Sequence, residues 1–212
     1  MAWSSEKIVF TCTVNEVNRN YIDLSEIYTE AFAALGYEFE MLTPPAGRGI
    51  AMLVSEVVDG DCGRSGRLIE ITGMHNLQKV PEPIREVSVS IWTNLPGLKT
   101  ASLSDVDKQG GRVGYVRGYV GIRSMLDSLS HLEPISLNDT VTGMKMLSAN
   151  RLDFFVGLDA KIRLEMATLE FKHPIYRSGR LDSTYIYPYL TKKHAHLAVG
   201  LAKEIRRINA RK

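Results

Sequence analysis

The chain has 212 residues, 44% of them hydrophobic and 24% charged, the make-up of a folded globular protein; a disordered tail and a fibrous repeat are excluded. Lys and Arg number 26 against 24 Asp and Glu, a formal net charge of +2, so no overall field draws in nucleic acid. No apolar run approaches the roughly 20 residues of a membrane span, and the length suits one large domain or two smaller ones with cores of their own.

Residues 1–7 carry neither the basic patch nor the apolar stretch of a secretory signal, which leaves two options: retention inside the cell, or removal of an export signal. The cysteines, Cys12 and Cys62, are too few for a disulfide scaffold and have no metal-binding spacing; one bridge between them stays open.

In chain order, Ile8–Val14 is apolar and β-branched and predicts a buried strand. Leu24, Ile27, Tyr28, Ala31, Phe32 and Leu35 recur at helical spacing, with Asp23 as N-cap, Glu26 three residues on, and Gly36 as the stop. Tyr37–Leu42 alternates as a strand, Thr43-Pro44-Pro45 breaks it, Ile50–Val57 reads as a helix and Asp59–Gly63 as a third strand. Val87–Thr93 reads as an extended connector, followed by the loop Asn94–Gly97.

A second unit with the same order of elements follows. Arg112–Val116 is a strand, Val120–Leu129 a helix, Glu133–Leu137 a strand, and Asn138–Ala149 a helix capped by Asn138 or Asp139. Leu152–Leu158 closes this unit as a buried strand, Ser183–Tyr189 is β-rich, and Lys192–Arg207 forms a last helix with Leu197, Leu201 and Ile205 on one face. The fold class is therefore α/β, in two lobes of mostly parallel sheet with flanking helices: segment 1–91 in lobe one, 92–182 in lobe two, and 183–212 returning to lobe one.

Ligands of such sheets bind beyond the carboxyl ends of the strands, so the residues there are the candidates, with both sets of loops facing one cleft. Asn15 and Glu16 follow the first strand, and Arg64 and Arg67 stand among glycines after the third. A guanidinium holds a carboxylate through two parallel hydrogen bonds, although a solvated surface pairing explains the same residues. In the second unit Tyr115, Arg117, Gly118 and Tyr119 join a strand to a helix whose free amides suit an anion; a tight turn needing Gly118 is the plainer reading. Asp159 follows the last strand, either as a cap of the next helix or as a counter-charge, and Trp92 serves as a ligand wall or as hinge packing. The five histidines form no metal pair, and no nucleophile motif is present, so neither a cofactor nor a catalytic residue is expected.

The pieces together resemble the bacterial extracellular solute-binding proteins of the polar-amino-acid type. The resemblance lies in Val58-Asp59-Gly60 with Arg64, Val80–Ile84 before a strand, Leu103–Gly118 as the opening of lobe two, Asn150-Arg151-Leu152-Asp153 followed by Asp159, and Tyr185–His194. It implies a type II periplasmic-binding-protein fold, two lobes joined by two crossing segments and closing on a small solute. It also implies an arginine of lobe one, Arg64 or Arg67, on the ligand's carboxylate, and Asp159 on its ammonium. The sequence departs from the pattern at Met74, where the family's usual arginine stands, and at Val80-Pro81, which replace its Phe-Ser pair. With first and third strands adjacent in this fold, Cys12 and Cys62 come within bridging distance, and a bridge would accord with export.

The expected function is binding of a small carboxylate-bearing or amino-acid-like solute by hinge closure, as a periplasmic monomer serving the permease of an ABC-type transporter or a sensor. The alternatives are an enzyme on the same fold, such as a dehydratase using Glu16 or Asp159 as general acid or base, and a ligand-sensing domain of a receptor.

Overall fold

In the computed structural model the described residues are 6–13 and 19–211. They divide into two compact units, Met1–Arg85 with Tyr185–Lys212, and Glu86–Thr184. The chain passes from one unit to the other twice, next to Glu86 and next to Tyr185.

In the first unit β1 (Lys7–Thr11) lies between β2 (Glu38–Leu42) and β3 (Gly60–Ser65), parallel to both. The helix α1 (Arg19–Ala34) connects β1 to β2 and puts Leu24, Ile27, Tyr28, Ala31 and Phe32 into the core. It starts before Asp23, so Asp23 is no N-cap; no helix breaker stands in Arg19-Asn20-Tyr21-Ile22, and the Asp23 carboxylate faces Arg85 at 3.9 Å. Gly36 ends the turn at φ 86°, the left-handed conformation that the sequence reading required of it.

The next helix, α2 (Ala46–Val54), begins immediately after Pro45 rather than at Ile50. Gly47 and Gly49 lower the helical signal of its first turns without preventing the helix, because this end packs on β1 and β3. Two short elements have no periodic signature: α3 (Leu68–Thr72), closed by Gly73 at φ 69°, and β4 (Leu77–Lys79). A tight aromatic cluster of Phe10, Tyr28, Phe32 and Phe39, with ring centroids 5.3–6.4 Å apart, fills the space between α1 and the sheet.

The second unit repeats the plan. Its strand β6 (Gly111–Val116) is parallel to β7 (Leu132–Leu137) and to β8 (Phe154–Leu158). Ahead of them lies α4 (Leu103–Gln109), which the strand-and-helix pattern did not reveal. Ser102 and Asp105 form its capping box, and hydrogen bonds from the Ser102 hydroxyl and the Ala101 N–H lower the Asp105 pKa. The helices α5 (Val120–Leu126), α6 (Thr140–Ser148) and α7 (Asp159–Met166) follow β6, β7 and β8 in turn. Asp139 caps α6, its Oδ1 accepting the Thr142 N–H at 2.7 Å.

The sheets are not parallel throughout. The expected connector is a full strand, β5 (Arg85–Thr93), antiparallel to β8. The last strand, β9 (Tyr176–Thr191), is 16 residues long and pairs antiparallel with β3 and β4 in its final third. Both strands carry the chain between the units, and antiparallel addition needs no crossover helix. After β9 the chain makes a turn of 3-10 helix, Lys192–Leu197, before α8 (Ala198–Asn209) packs Leu201, Ala202, Ile205 and Ile208 into the first unit's core.

Candidate functional site

Because β1 and β3 are parallel, their carboxyl ends share one edge of the first unit. Cys12 and Cys62 are joined there as a disulfide with Cα atoms 5.3 Å apart, fixing the end of β1 to β3. Arg64 is 4% exposed and Asp61 is fully buried. Arg64 Nε donates to Asp61 Oδ2 at 2.7 Å, Nη2 lies 2.7 Å from the same oxygen, and Asp61 Oδ1 accepts the Gly63 N–H at 2.9 Å. The guanidinium is thus built into the fold rather than waving in solvent, as a charge this deep requires.

Beside it lies a hydroxyl that sequence reasoning missed. Thr11 is fully buried, and its Oγ1 has no hydrogen-bond partner among the described residues. A Cβ built on Gly49 of α2 would stand 2.5 Å from Thr11 Oγ1 and 3.0 Å from Arg64 Nη2, so α2, Thr11 and Arg64 converge on one spot. The only sequence signal was a polar residue inside an apolar strand. Two phenols close the rear: Tyr28 donates to the Cys62 carbonyl, and Tyr189 to the Ser65 carbonyl at 2.7 Å. Burial, assisted by the Asp61 charge, raises the Tyr28 pKa well above the usual phenol range, and burial pushes Tyr189 up to about 12.

Arg67, the other arginine of this stretch, pairs on the surface instead. It is exposed and paired with Glu70 three residues on, the hydrogen bond lowering the Glu70 pKa. Asn15 and Glu16 lie outside the described residues. Asp59, in the segment that carried part of the resemblance, has a structural role: its two oxygens take the Val9 N–H and His194 Nε2, each at 2.9 Å, tying β1 to the turn before α8.

In the second unit the carboxyl ends of β6, β7 and β8 also share one edge. Gly118 takes φ 92° in the turn between β6 and α5. Arg117 is anchored by its N–H to the Leu137 carbonyl at 2.7 Å, and its side-chain Nε donates to Ser136 Oγ at 3.3 Å. Tyr115 is buried and accepts a hydrogen bond from Arg123 at 3.1 Å, while Tyr119 is half-buried and packs on the unit's core. Trp92 is 6% exposed, well inside this unit, with its indole N–H on Ser90 Oγ at 2.7 Å; it is packed rather than presented as a free wall.

Asp159 is the first residue of α7, not its cap, which is Leu158. Its side chain is 5% exposed, and its oxygens meet Arg163 Nε at 3.1 Å and Arg177 Nη1 at 3.3 Å. Arg163 was within reach of sequence reasoning, four residues on along the same helix; Arg177 comes from β9 and has no local signal. Among the described residues no group of His, Cys, Asp and Glu is placed to hold a metal ion, and no helix is long and apolar enough to cross a membrane.

No protein-family model matches the chain. An uncharacterized protein of Shewanella oneidensis is 28% identical over 184 residues, covering 86% of this chain and 69% of that protein. Among solved structures, the arginine-bound form of truncated ArgBP from T. maritima superposes with a TM-score of 0.74 at 14% identity, covering 95% of this chain and 96% of that one. An amino acid ABC transporter substrate-binding protein from Streptococcus pneumoniae bound to L-arginine gives 0.73 at 13% identity, covering 97% and 90%. A histidine kinase sensor domain with similarity to periplasmic binding proteins gives 0.72 at 15%, covering 98% and 92%. The chain therefore has the type II periplasmic-binding-protein fold. At these identities it is the architecture that is shared, and the side chains at the strand ends are this chain's own.

Proposed function

We propose that the chain is a periplasmic solute-binding protein that takes a small carboxylate-bearing or amino-acid-like solute by hinge closure, as a monomer supplying an ABC-type transporter. The observation that carries this reading is the buried Arg64 guanidinium beside the Thr11 hydroxyl at the carboxyl ends of β1 and β3, where this fold class gathers its ligand contacts. A carboxylate there gains charge-assisted bonds from Arg64 and a neutral one from Thr11. Arg117, Gly118, Tyr115, Tyr119, Trp92, Arg67, Asn15, Glu16 and Asp159 remain candidates of lower rank.

Calorimetry with a panel of small carboxylates tests it. Arg64→Ala is expected to weaken binding at least about tenfold, the loss of one charged hydrogen bond. Thr11→Val removes only a hydroxyl, leaves the fold at least as stable, and is expected to cost about two- to tenfold. Unchanged affinity in both variants refutes this placement of the ligand.

Service to a sensor is the second reading, favoured by the likeness to a kinase sensor domain. An enzyme on the same fold is the third reading: a general acid or base needs a carboxylate not already committed, and of its two candidates Asp159 is engaged by two guanidinium groups while Glu16 lies outside the described residues. Recovery of the bound solute unchanged after prolonged incubation supports the binder; turnover refutes it.

A further inference from the structure

We propose that binding at the Arg64 edge is switched on by formation of the Cys12–Cys62 bridge, which holds the bulge that turns Arg64 onto Asp61. This rests on the binding reading above and names a control on that same site, inside the first unit. On β3, Asp61 pairs with Tyr189 and Arg64 with Tyr187 of β9, so two residues, Cys62 and Gly63, face the single Pro188. Pro188 has no N–H to give, and the ladder is interrupted there. The extra residue reverses the strand's alternation. Residues three apart on a regular strand point to opposite faces, yet Arg64 Nε donates to Asp61 Oδ2 at 2.7 Å.

Cys62 and Gly63 are held from the side instead. Asp61 Oδ1 accepts the Gly63 N–H at 2.9 Å, the Tyr28 hydroxyl donates to the Cys62 carbonyl, and Cys12 holds Cys62 covalently. The first of these bonds lies within β3 and cannot fix the bulge to its surroundings. Among the described residues the β1–β3 pairing runs through Phe10 with Gly60 and Thr11 with Asp61, so the bridge is what extends it to the bulge. With the thiols reduced, Cys62 keeps the Tyr28 bond to α1, and a neutral bond of that kind shifts an equilibrium about two- to tenfold.

The switching step is thiol–disulfide exchange with an external disulfide such as oxidised glutathione. One cysteine thiolate attacks an oxidant sulfur, forms a mixed disulfide and releases one oxidant thiol. The other cysteine then attacks the protein sulfur of that mixed disulfide, closing the bridge and releasing the second oxidant thiol. The two cysteine sulfurs are oxidised, the oxidant takes the electron pair, and the two thiol protons end on the released thiols. Cys12 is fully buried and Cys62 nearly so, which shields the closed bridge from reductants until the unit opens.

To test this, the full chain is oxidised with glutathione disulfide or, separately, refolded and kept under a phosphine reductant, and both forms are titrated calorimetrically with succinate, L-glutamate and L-arginine. The reduced chain, folded by near-ultraviolet circular dichroism, is expected to bind the best probe at least about tenfold more weakly, the worth of one charge-assisted hydrogen bond. The Arg64 Nε–H, identified in proton–nitrogen NMR spectra by its loss in Arg64→Lys, is expected to exchange slowly with solvent in the oxidised chain and at least about tenfold faster in the reduced one. Tyr28→Phe keeps the bridge and the ring but loses the bond to the Cys62 carbonyl. In the oxidised chain it is expected to weaken binding about two- to tenfold and to speed the same exchange. Equal binding or equal Arg64 exchange in the two redox forms overturns the inference while the binder reading stands. If the reduced chain does not fold, Tyr28→Phe decides, and unchanged affinity or unchanged exchange in that variant overturns the inference. Binding of none of the probes by the oxidised chain, with no small acid released from the purified protein on denaturation in mass spectrometry, overturns the binder reading and this control with it.

Discussion

The bridge between Cys12 and Cys62 spans 50 residues of sequence, nearly all of the first βαβαβ path, and its removal has a calculable cost. Loop closure at this length restricts the unfolded chain by about 14 cal/mol/K, or about 4 kcal/mol at 25 °C. Both sulfurs are buried in the first unit's core, so replacement by serine would add the cost of an unpaired hydroxyl; alanine at both positions is the cleaner perturbation. The expected result for Cys12→Ala with Cys62→Ala is a loss of about 4 kcal/mol in guanidinium unfolding followed by circular dichroism, with a steeper denaturant dependence because the unlinked chain expands further. For a chain of this size that corresponds to a fall of roughly 8–16 °C in Tm. Wild-type protein unfolded in the presence of a reductant should approach the variant. A change below about 1 kcal/mol in both measurements would refute the reasoning, meaning that the bridge does not form in solution or that the unfolded chain is compact without it.

Two further outcomes follow from the same unit. Gly49→Ala would gain about 1 kcal/mol in an exposed helix, but its Cβ would lie 2.5 Å from Thr11 Oγ1, so denaturation should show a net loss; a gain would mean that α2 does not press on Thr11. With Tyr28 raised well above the phenol range and Tyr189 at about 12, both are held neutral by the fold. Their stabilisation is complete below the unfolded phenol pKa of about 10 and is lost as pH rises toward 12. A spectrophotometric titration should therefore leave two of the nine tyrosines un-ionised near pH 11 while the chain stays folded, and full ionisation without unfolding would contradict their burial.

Much of the architecture was written locally. The apolar runs that became β1 and β8, the helical spacing of Leu24 to Phe32, the Gly36 stop and the Asp139 cap each depend on residues a few positions apart, and each is where the sequence indicated. The errors are of the same local kind. Glycines in α2 hid its first turns, α3 and β4 are too short to show a period, and Asp23 imitated a cap inside a longer helix.

The state of each candidate side chain was another matter, because it depends on partners distant in sequence. Arg64 and Arg67 stand three apart in similar glycine-rich surroundings, yet one is buried on Asp61 and the other is exposed on Glu70. Asp159 follows its strand as expected, but Arg177, from a strand 18 residues later in the chain, answers its charge. Sequence periodicity decides which backbone segments exist; only the folded chain decides which charges remain unanswered, since electrostatic balance is set by distance in space and by burial.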